Sequence, residues 1–344
     1  METTARLAGL EAGGGCAAKY SAARLEELLA GFVPAAPENL LVGLEPADDA
    51  AVYRLDDERA LVFTIDFFPP LVDDAALYGA VAAANALNDV FAMGGKPLVA
   101  LSIAAFPEDL PVETVRAVFD AAAAKVQEAG AVLAGGHTIR DAEPKYGLAV
   151  VGMVHPRALW RKTGARPGDA LFLTKPLGTG LVVAAVATGL LGTGEAEEAA
   201  RRMTELNGRA ADALRALEPG AVTDVTGFGL FGHAHEVAER SGVRLTLDGD
   251  ALPDLPGALA AAAQGVRTGG DARNREFAAH AVELGETPDD IAALGYDPQT
   301  SGGLLAILPG EKSPVLAAHF AAEGLFLTRI GRVEEGSGVA VSFL

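Results

Sequence analysis

The chain has 344 residues, of which 46 are acidic and 27 basic, so its formal net charge is −19 at pH 7. This length is too great for one typical core and predicts about two domains. The charge repels nucleic acids and anionic membrane surfaces, so we expect neither as a partner, and a phosphate ligand would need a metal ion or a local basic pocket. No apolar run is long enough to cross a bilayer and the N-terminus lacks the pattern of a secretory signal, which predicts a soluble, cytoplasmic protein.

The N-terminal segment, residues 1–20, is rich in glycine and alanine and shows no periodicity, so we expect it to be mobile. It contains the single cysteine, Cys16, which excludes an intramolecular disulfide framework. Lys19 follows closely, and an ammonium group near a thiol favours the nucleophilic thiolate. A buried structural cysteine is the ordinary alternative. That alternative is weakened here because the segment offers no core in which a thiol could be buried.

The most distinctive stretch runs from Asn85 to Pro97 and combines a helical pattern with polar residues before two glycines stop it. Asn85, Asn88 and Asp89 are spaced i, i+3 and i+4, so they share one face of the helix. Amides beside a carboxylate suit a cation that prefers oxygen ligands, or a phosphate network. The plain alternative is an amphipathic helix whose polar face is exposed to solvent.

Other aspartates stand beside predicted strands. Asp48 and Asp49 lead into a short strand, a buried strand over residues 60–65 ends on Asp66, and Asp224 ends a strand before a glycine loop. In mixed sheets, ligands collect at strand ends with glycine loops, and Mg²⁺ is the usual cation between carboxylates and nucleotide phosphates. Aspartates that only form turns or cap helices are the alternative. From spacing alone, both interpretations stay open.

Glycines after predicted strands mark two further candidate phosphate sites. One strand runs into Gly135, Gly136 and His137, where the backbone can approach a ligand and its amides can face phosphate oxygens. A second strand runs into the Gly-rich loop 175–180 and then a helix, although this loop lacks the Gly-Lys-Ser/Thr ending of a Walker motif. The polar stretch 155–168, with its prolines and glycines, predicts the boundary between two α/β units.

Taken together, these motifs resemble those of the selenophosphate synthetase family, also called selenide, water dikinases. The match recurs in order over nearly the whole chain. The wider superfamily of aminoimidazole ribonucleotide synthetase, thiamine-monophosphate kinase and hydrogenase-maturation proteins is similar in its acidic strand ends and Asp-Val-Thr-Gly loop, whereas Cys16 with Lys19 singles out the selenium branch. The matching stretches are residues 15–19, 39–43, 48–53, 64–68, 85–97, 133–138, 171–178, 223–232 and 297–305.

The resemblance implies the two-domain fold of aminoimidazole ribonucleotide synthetase-like (PurM-like) proteins. Its parts are a mobile catalytic segment over residues 1–20, an N-terminal α/β domain over 21–155 that binds ATP and forms a homodimer, and a C-terminal α+β domain over 169–344. It also implies an enzyme that converts ATP, selenide and water into selenophosphate, AMP and orthophosphate in the presence of Mg²⁺. Selenide, or a protein that delivers selenium, is the implied partner.

The same resemblance implies roles for individual residues. Cys16 and Lys19 match the essential cysteine and lysine of the family, and the segment from Gly135 to His137 reaches the ATP of the other subunit. The implied Mg²⁺ ligands are Asp49, Asp89 and Asp224, and the implied nucleotide contacts are Lys19, Asp48, Asp66, Asp89 and the backbone of Gly135, Gly136 and His137.

Two positions depart from the family pattern. Ala18 stands where many relatives carry a second cysteine, which removes a relay between two thiols, and Glu45-Pro46-Ala47 replaces a stretch in which many relatives offer a threonine to the nucleotide. Neither departure affects Cys16, Lys19 or the aspartates. Two alternatives stay open: another ATP-dependent phosphotransferase or ligase of the superfamily, and a non-catalytic dimer that senses ATP or carries selenium.

Overall fold

The computed structural model of the chain describes residue 15 and residues 22–32, 37–45 and 47–343; Cys16 and Lys19 lie outside the described residues. The helices are α1 (Ala22–Leu29), α2 (Ala75–Ala92), α3 (Val112–Glu128), α4 (Thr179–Ala187), α5 (Thr193–Thr204), α6 (Gly208–Arg215), α7 (Gly229–Ser241), α8 (Ala258–Ala263), α9 (Asp271–Ala278), α10 (Asp289–Tyr296) and α11 (Ser313–Ala322). The strands are β1 (Leu40–Val42), β2 (Ala51–Arg54), β3 (Ala60–Phe68), β4 (Lys96–Phe106), β5 (Val132–Arg140), β6 (Lys145–Val154), β7 (Asp169–Leu173), β8 (Ala221–Asp224), β9 (Arg244–Asp248), β10 (Val282–Glu283), β11 (Leu304–Pro309), β12 (Thr328–Glu334) and β13 (Gly338–Ser342).

The first six strands form one sheet in the order β1-β2-β3-β6-β4-β5, in which only β4 and β5 run parallel. Helices α2 and α3 pack together, and α2 packs on β3 and β6. Strand β3 shows the period of two that a half-covered sheet requires. Its Val62 is fully buried, whereas the side chains of Phe63, Ile65 and Phe67 are exposed. One face of this sheet is therefore covered by helices and the other carries exposed apolar residues.

Helix α2 lies between the two halves of the chain. Asp74 caps its N-terminus by accepting a hydrogen bond from the Leu77 amide at 2.7 Å, and the alanine-rich sequence favours the helix. Every residue from Val81 to Ala92 is buried. A helix that is buried all round has no solvated face. The interpretation of Asn85, Asn88 and Asp89 as an exposed polar face is therefore wrong.

The other strands form a seven-stranded sheet in the order β10-β13-β9-β12-β7-β11-β8. Strand β7 shows how this sheet separates two cores. Its Ala170 and Phe172 belong to the core that α2 shares, and its Leu171 and Leu173 belong to a second core against α4, α7 and α8. Because the first core contains residues of both sheets, the two halves pack on each other through α2.

Two predicted strand ends lie elsewhere in the structure. Asp66 lies inside β3, because Phe67 and Phe68 continue the antiparallel ladder with β6. The glycines that were expected after a strand lie inside β5, which continues to Arg140. Among the described residues, no helix combines the length and apolar character that a membrane crossing requires.

Candidate functional site

The loop before β2 places two adjacent carboxylates against the second half of the chain. Asp48 Oδ1 accepts the Asp49 amide at 2.9 Å, and Asp48 Oδ2 accepts the Lys162 amide at 3.0 Å. Asp49 Oδ1 accepts the Thr223 hydroxyl at 2.9 Å. Burial, and then the negative charge of Asp49, raise the pKa of Asp48 to about 6. The double aspartate therefore contacts β8 one residue before Asp224.

A buried cluster of charges surrounds Asp49. Lys162 Nζ lies 2.9 Å from Asp49 Oδ1 and 3.1 Å from Glu236 Oε2 on α7. Glu236 also contacts His233 Nδ1 at 3.1 Å and Arg240 Nη2 at 3.3 Å. Burial would raise the pKa of Glu236, but the charge of Lys162 and the hydrogen bond from His233 hold it well below its usual range. The cluster joins the double aspartate to the C-terminal half by charge-assisted bonds.

Two more of the candidate aspartates, one on β3 and one on α2, lie where α2 packs on the first sheet. The Thr64 hydroxyl donates to Asp89 Oδ2, and the Asn85 side-chain amide donates to Asp66 Oδ2. Asp89 is 8% exposed, so its side chain is almost completely shielded from solvent. Strand β3 and helix α2 are therefore joined by hydrogen bonds between polar side chains, and each bond includes one of the candidate aspartates.

Asparagines of α2 also hold a loop from the C-terminal half. Asn85 Oδ1 accepts the Ser301 amide at 2.8 Å, and Asn88 Nδ2 donates to the Ser301 hydroxyl at 3.0 Å. Asn88 Oδ1 accepts the Asn207 amide at 2.8 Å. Buried amides bonded at both ends fix one orientation of a helix against a loop. These hydrogen bonds hold the loop before β11 close to Asp66 and Asp89.

One buried carboxylate oxygen of the site fits a Mg²⁺ ion. Asp49 Oδ2 is buried and accepts no hydrogen bond from the described residues. A carboxylate oxygen in that condition suits a cation that prefers oxygen ligands. Helix α2, which carries Asp89, packs against β8, which ends on Asp224. In the part of the chain that the structure describes, no three His, Cys, Asp or Glu side chains are grouped as they stand so that they could hold a metal.

Gly15 shows where the N-terminal segment meets the folded part. This buried residue donates its amide to the Pro69 carbonyl at 3.0 Å, and an added Cβ would come within 2.8 Å of the Thr300 hydroxyl oxygen. Thr300 precedes Ser301, which α2 binds. The chain is therefore next to the α2-bound loop one residue before Cys16.

The predicted segment Gly135–His137 is not brought to Asp66 within one chain. Asp66 pairs with Leu148, Leu148 with Ser102, and Ser102 with Gly136, so Asp66 and Gly136 end a row across β3, β6, β4 and β5. Three strand spacings separate them by about 14 Å. The glycines also have a structural role, because β5 pairs with β4 through a register shift at Ser102. A Cβ on Gly136 would lie 2.3 Å from the Ser102 carbonyl oxygen.

Several residues of the site were missed at the level of sequence. Lys162 lies in the polar stretch that predicts a domain boundary, where a lysine is ordinarily a solvated residue. Glu236 and His233 lie in a helical pattern that predicts packing or surface positions. The roles of Thr64 and Thr223 follow from strand pairing across a long sequence distance. For Asn85 and Asn88, the i, i+3 spacing on α2 was the usable signal.

Comparisons with known proteins place this geometry in a family. The family model described as AIR synthase related protein, N-terminal domain, matches residues 47–154, and that of the C-terminal domain matches residues 166–343. A solved structure of thiamine-monophosphate kinase from Stenotrophomonas maltophilia superposes with a TM-score of 0.68 over 93% of this chain and 95% of the other, at 24% identity. At that identity the likeness shows the fold, which is the predicted two-domain PurM-like architecture.

Curated relatives are nearer in sequence. Selenide, water dikinase 2 of Peptoclostridium acidaminophilum is 44% identical over 320 residues, which cover 93% of this chain and 92% of the relative. Selenide, water dikinase of Citrifermentans bemidjiense is 41% identical over 345 residues, which cover all of both chains. These matches span both halves of the chain. The chain is therefore an enzyme that belongs to the selenide, water dikinase family of AIR synthase related proteins.

Proposed function

We propose that the protein synthesises selenophosphate from selenide, water and ATP, with AMP and orthophosphate as the other products. The observation that carries this proposal is the position of Gly15. It brings the chain, one residue before Cys16, to the loop that α2 holds beside Asp66 and Asp89. A nucleophilic residue and a phosphate-binding carboxylate site would thus act at one place. The names of relatives that match over nearly the whole chain support this substrate class.

In this scheme the aspartates bind the nucleotide through metal ions. Asp49, Asp89 and Asp224 would hold Mg²⁺, which when bound would neutralise the triphosphate against an acidic protein. Asp48 and Asp66 would contact the nucleotide. The amides and hydroxyls around them preset the orientation of each carboxylate, so little reorganisation is needed when ATP binds.

Cys16 and Lys19 would supply the selenium-specific chemistry. Lys19 would add a positive charge where negative charge develops during phosphoryl transfer, and Cys16 would hold or deliver selenium. Selenium would come from free selenide or from a delivery protein. The proposed cytoplasmic location fits a thiol that must stay reduced.

The active form would be a homodimer. The outer face of the first sheet exposes Phe63, Ile65 and Phe67 on β3 and Val99 and Leu101 on β4, with β6 between these two strands. Contiguous apolar surface of this kind marks an interface. Pairing two copies through this face would bring the edge strand β5, with Gly135 to His137, toward the other subunit. That arrangement would let this segment contact the partner's nucleotide, since it is remote from the aspartates of its own chain.

The test is phosphorus NMR of the protein with MgATP and selenide under anaerobic conditions. We expect a selenophosphate signal together with AMP and orthophosphate. Cys16→Ser and Lys19→Ala should abolish that signal, whereas Glu11→Ala, a change elsewhere in the same segment, should leave it intact. A wild-type protein that forms no selenophosphate would refute the proposal and leave a non-catalytic nucleotide-binding dimer. Full ATP turnover in both variants without selenide would instead favour another phosphotransferase of the superfamily.

A further inference from the structure

Lys162 lies where the two halves of the aspartate site meet. Its ammonium group contacts Asp49 at 2.9 Å and Glu236 at 3.1 Å, and only 6% of its side chain is exposed. Its peptide nitrogen donates to the second carboxylate of the pair, that of Asp48, at 3.0 Å. Lys162 therefore contacts three carboxylates: two from the loop between β1 and β2, and one from α7.

The other groups around this lysine make its two carboxylate partners unequal. Glu236 is also bonded by His233 and Arg240, so it keeps cationic or donor partners if the lysine is removed. Asp49 Oδ1 contacts Lys162 and the neutral Thr223 hydroxyl. Because Glu236 has these other partners, the ammonium charge of Lys162 acts mainly on Asp49.

A fixed ammonium and a metal ion make opposing demands on one carboxylate. Asp49 is one of the proposed Mg²⁺ ligands, and a cation beside a carboxylate lowers its affinity for a second cation. At the same time, a buried carboxylate without a countercharge would be strongly unfavourable in the protein before metal binds. Lys162 supplies the countercharge that Asp49 needs without metal. The same charge opposes Mg²⁺ binding.

We propose that Lys162 is a positioning residue that docks Asp49 on the C-terminal half before metal binds and competes with Mg²⁺ for its carboxylate. The inference rests on the proposed function in taking Asp49 as a metal ligand. Its consequence is that the aspartate site is built to bind Mg²⁺ more weakly than its carboxylates alone would allow. Removing the ammonium group should then lower stability without metal and strengthen metal binding, two effects of opposite sign.

The experiment measures the thermal unfolding midpoint of the full chain against MgCl₂ concentration at constant ionic strength, without ATP or selenide. A ligand that binds only the folded state stabilises it by RT ln(1 + [L]/Kd), so the rise of the midpoint with concentration reports the affinity. Lys162→Met should lower the midpoint without Mg²⁺ and bind Mg²⁺ about tenfold more tightly than wild type. Lys162→Gln keeps hydrogen-bonding capacity, should shift the affinity in the same direction, and serves if the Met variant does not fold.

Two further variants separate competition from a structural role. Glu236→Gln removes the anion that shares the ammonium group, so Lys162 binds Asp49 alone and Mg²⁺ affinity should fall about threefold or more. Leu245→Ala opens a cavity in the second core, where Leu245 is fully buried, and should lower the midpoint while leaving Mg²⁺ affinity unchanged. A lysine that only supports the fold would weaken Mg²⁺ binding when replaced.

Tighter Mg²⁺ binding in the Lys162 variants with weaker binding in Glu236→Gln supports the inference. Unchanged or weaker binding in the Lys162 variants, with normal binding in wild type, overturns it and leaves the proposed function standing. If wild type itself shows no response to Mg²⁺, the inference fails together with the metal part of the proposed function. Selenophosphate synthesis is measured separately, so the two failures are distinguishable.

Discussion

At the scale of single residues, Gly15 connects the N-terminal segment with the site. Its φ of +64° lies in the left-handed region, where residues with a side chain are strained, and a Cβ would press on Thr300 and Leu71. We expect Gly15→Ala to reduce selenophosphate formation at least about tenfold while leaving the thermal midpoint within a few degrees of wild type. The measurement is kcat by phosphorus NMR beside a melting curve.

The matched control for that substitution is Gly189→Ala. Gly189 has a similar φ of +76°, but an added Cβ would meet nothing within 4 Å. It therefore carries the conformational cost of alanine without the contact at Thr300. Equal kcat values for the two variants would show that the close packing of Gly15 against Thr300 is unimportant for the reaction.

The residue types of the site and the helix face they share could be predicted from the sequence, whereas their hydrogen-bond partners could not. The spacing on α2 put Asn85, Asn88 and Asp89 on one face, and the structure confirms that they share one environment. Nothing in the sequence indicated that this face is buried, because the groups that cover it come from residues 207 and 301. Polar residues on a helix are predicted to be solvated unless a distant segment satisfies them, and that segment is known only from the fold.

At the scale of elements, the N-terminus of α4 corrects the expectation of a phosphate site in the loop 175–180. The amides of Gly178 and Thr179 donate to the side-chain oxygen of Gln299 at 3.0 and 3.1 Å. Those of Gly180 and Leu181 donate to Asp297 Oδ2 at 3.0 and 3.1 Å. A helix N-terminus binds an anion through these amides. Here the protein's own carboxylate and amide occupy them.

The capping carboxylate makes stability depend on pH. Complete burial raises the pKa of Asp297 to about 7, despite the amides that favour its charged form. The folded state therefore holds a proton more tightly than the unfolded state, whose aspartate has its ordinary pKa near 3.8. By linkage, stability is lost as pH rises from about 4 to about 7. Asp297→Asn should remove this loss, so from pH 5 to pH 8 the variant gains about 3 kcal/mol relative to wild type.

Urea unfolding of both proteins at several pH values measures this difference. Asp74→Asn is the control, because Asp74 also caps a helix but is exposed to solvent. It should leave the shape of the wild-type pH profile unchanged. A constant difference between wild type and Asp297→Asn across that range would mean that the carboxyl group does not titrate there.

At the scale of the whole molecule, the organisation into two α/β units followed from length and from the punctuated stretch 155–168, but their assembly did not. Side chains of strand β7 point alternately into two cores, because its sheet is covered on both faces. In the sequence, such a strand is only a continuous apolar run, which does not show that there are two cores. Strand β3 alternates between an inner face, with Val62 in the core and Asp66 in the site, and an exposed apolar face. Its apolar residues Phe63, Ile65 and Phe67 belong to no core in the described part of the chain, so burial within one subunit does not explain them.

Ile65 lies at the centre of this outer face and is 60% exposed, so it tests whether a second copy covers the face. We expect wild type to sediment as a dimer and Ile65→Lys as a monomer, because a lysine there would bury an uncompensated charge in the interface. Val112→Lys is the control: Val112 is 66% exposed at the start of α3, outside this face, and its replacement should leave the dimer intact. The monomer should still bind Mg²⁺ through its own aspartates while losing selenophosphate synthesis, because Gly135 to His137 would no longer reach a partner's nucleotide. A dimeric Ile65→Lys variant, or a fully active monomer, would contradict the shared site.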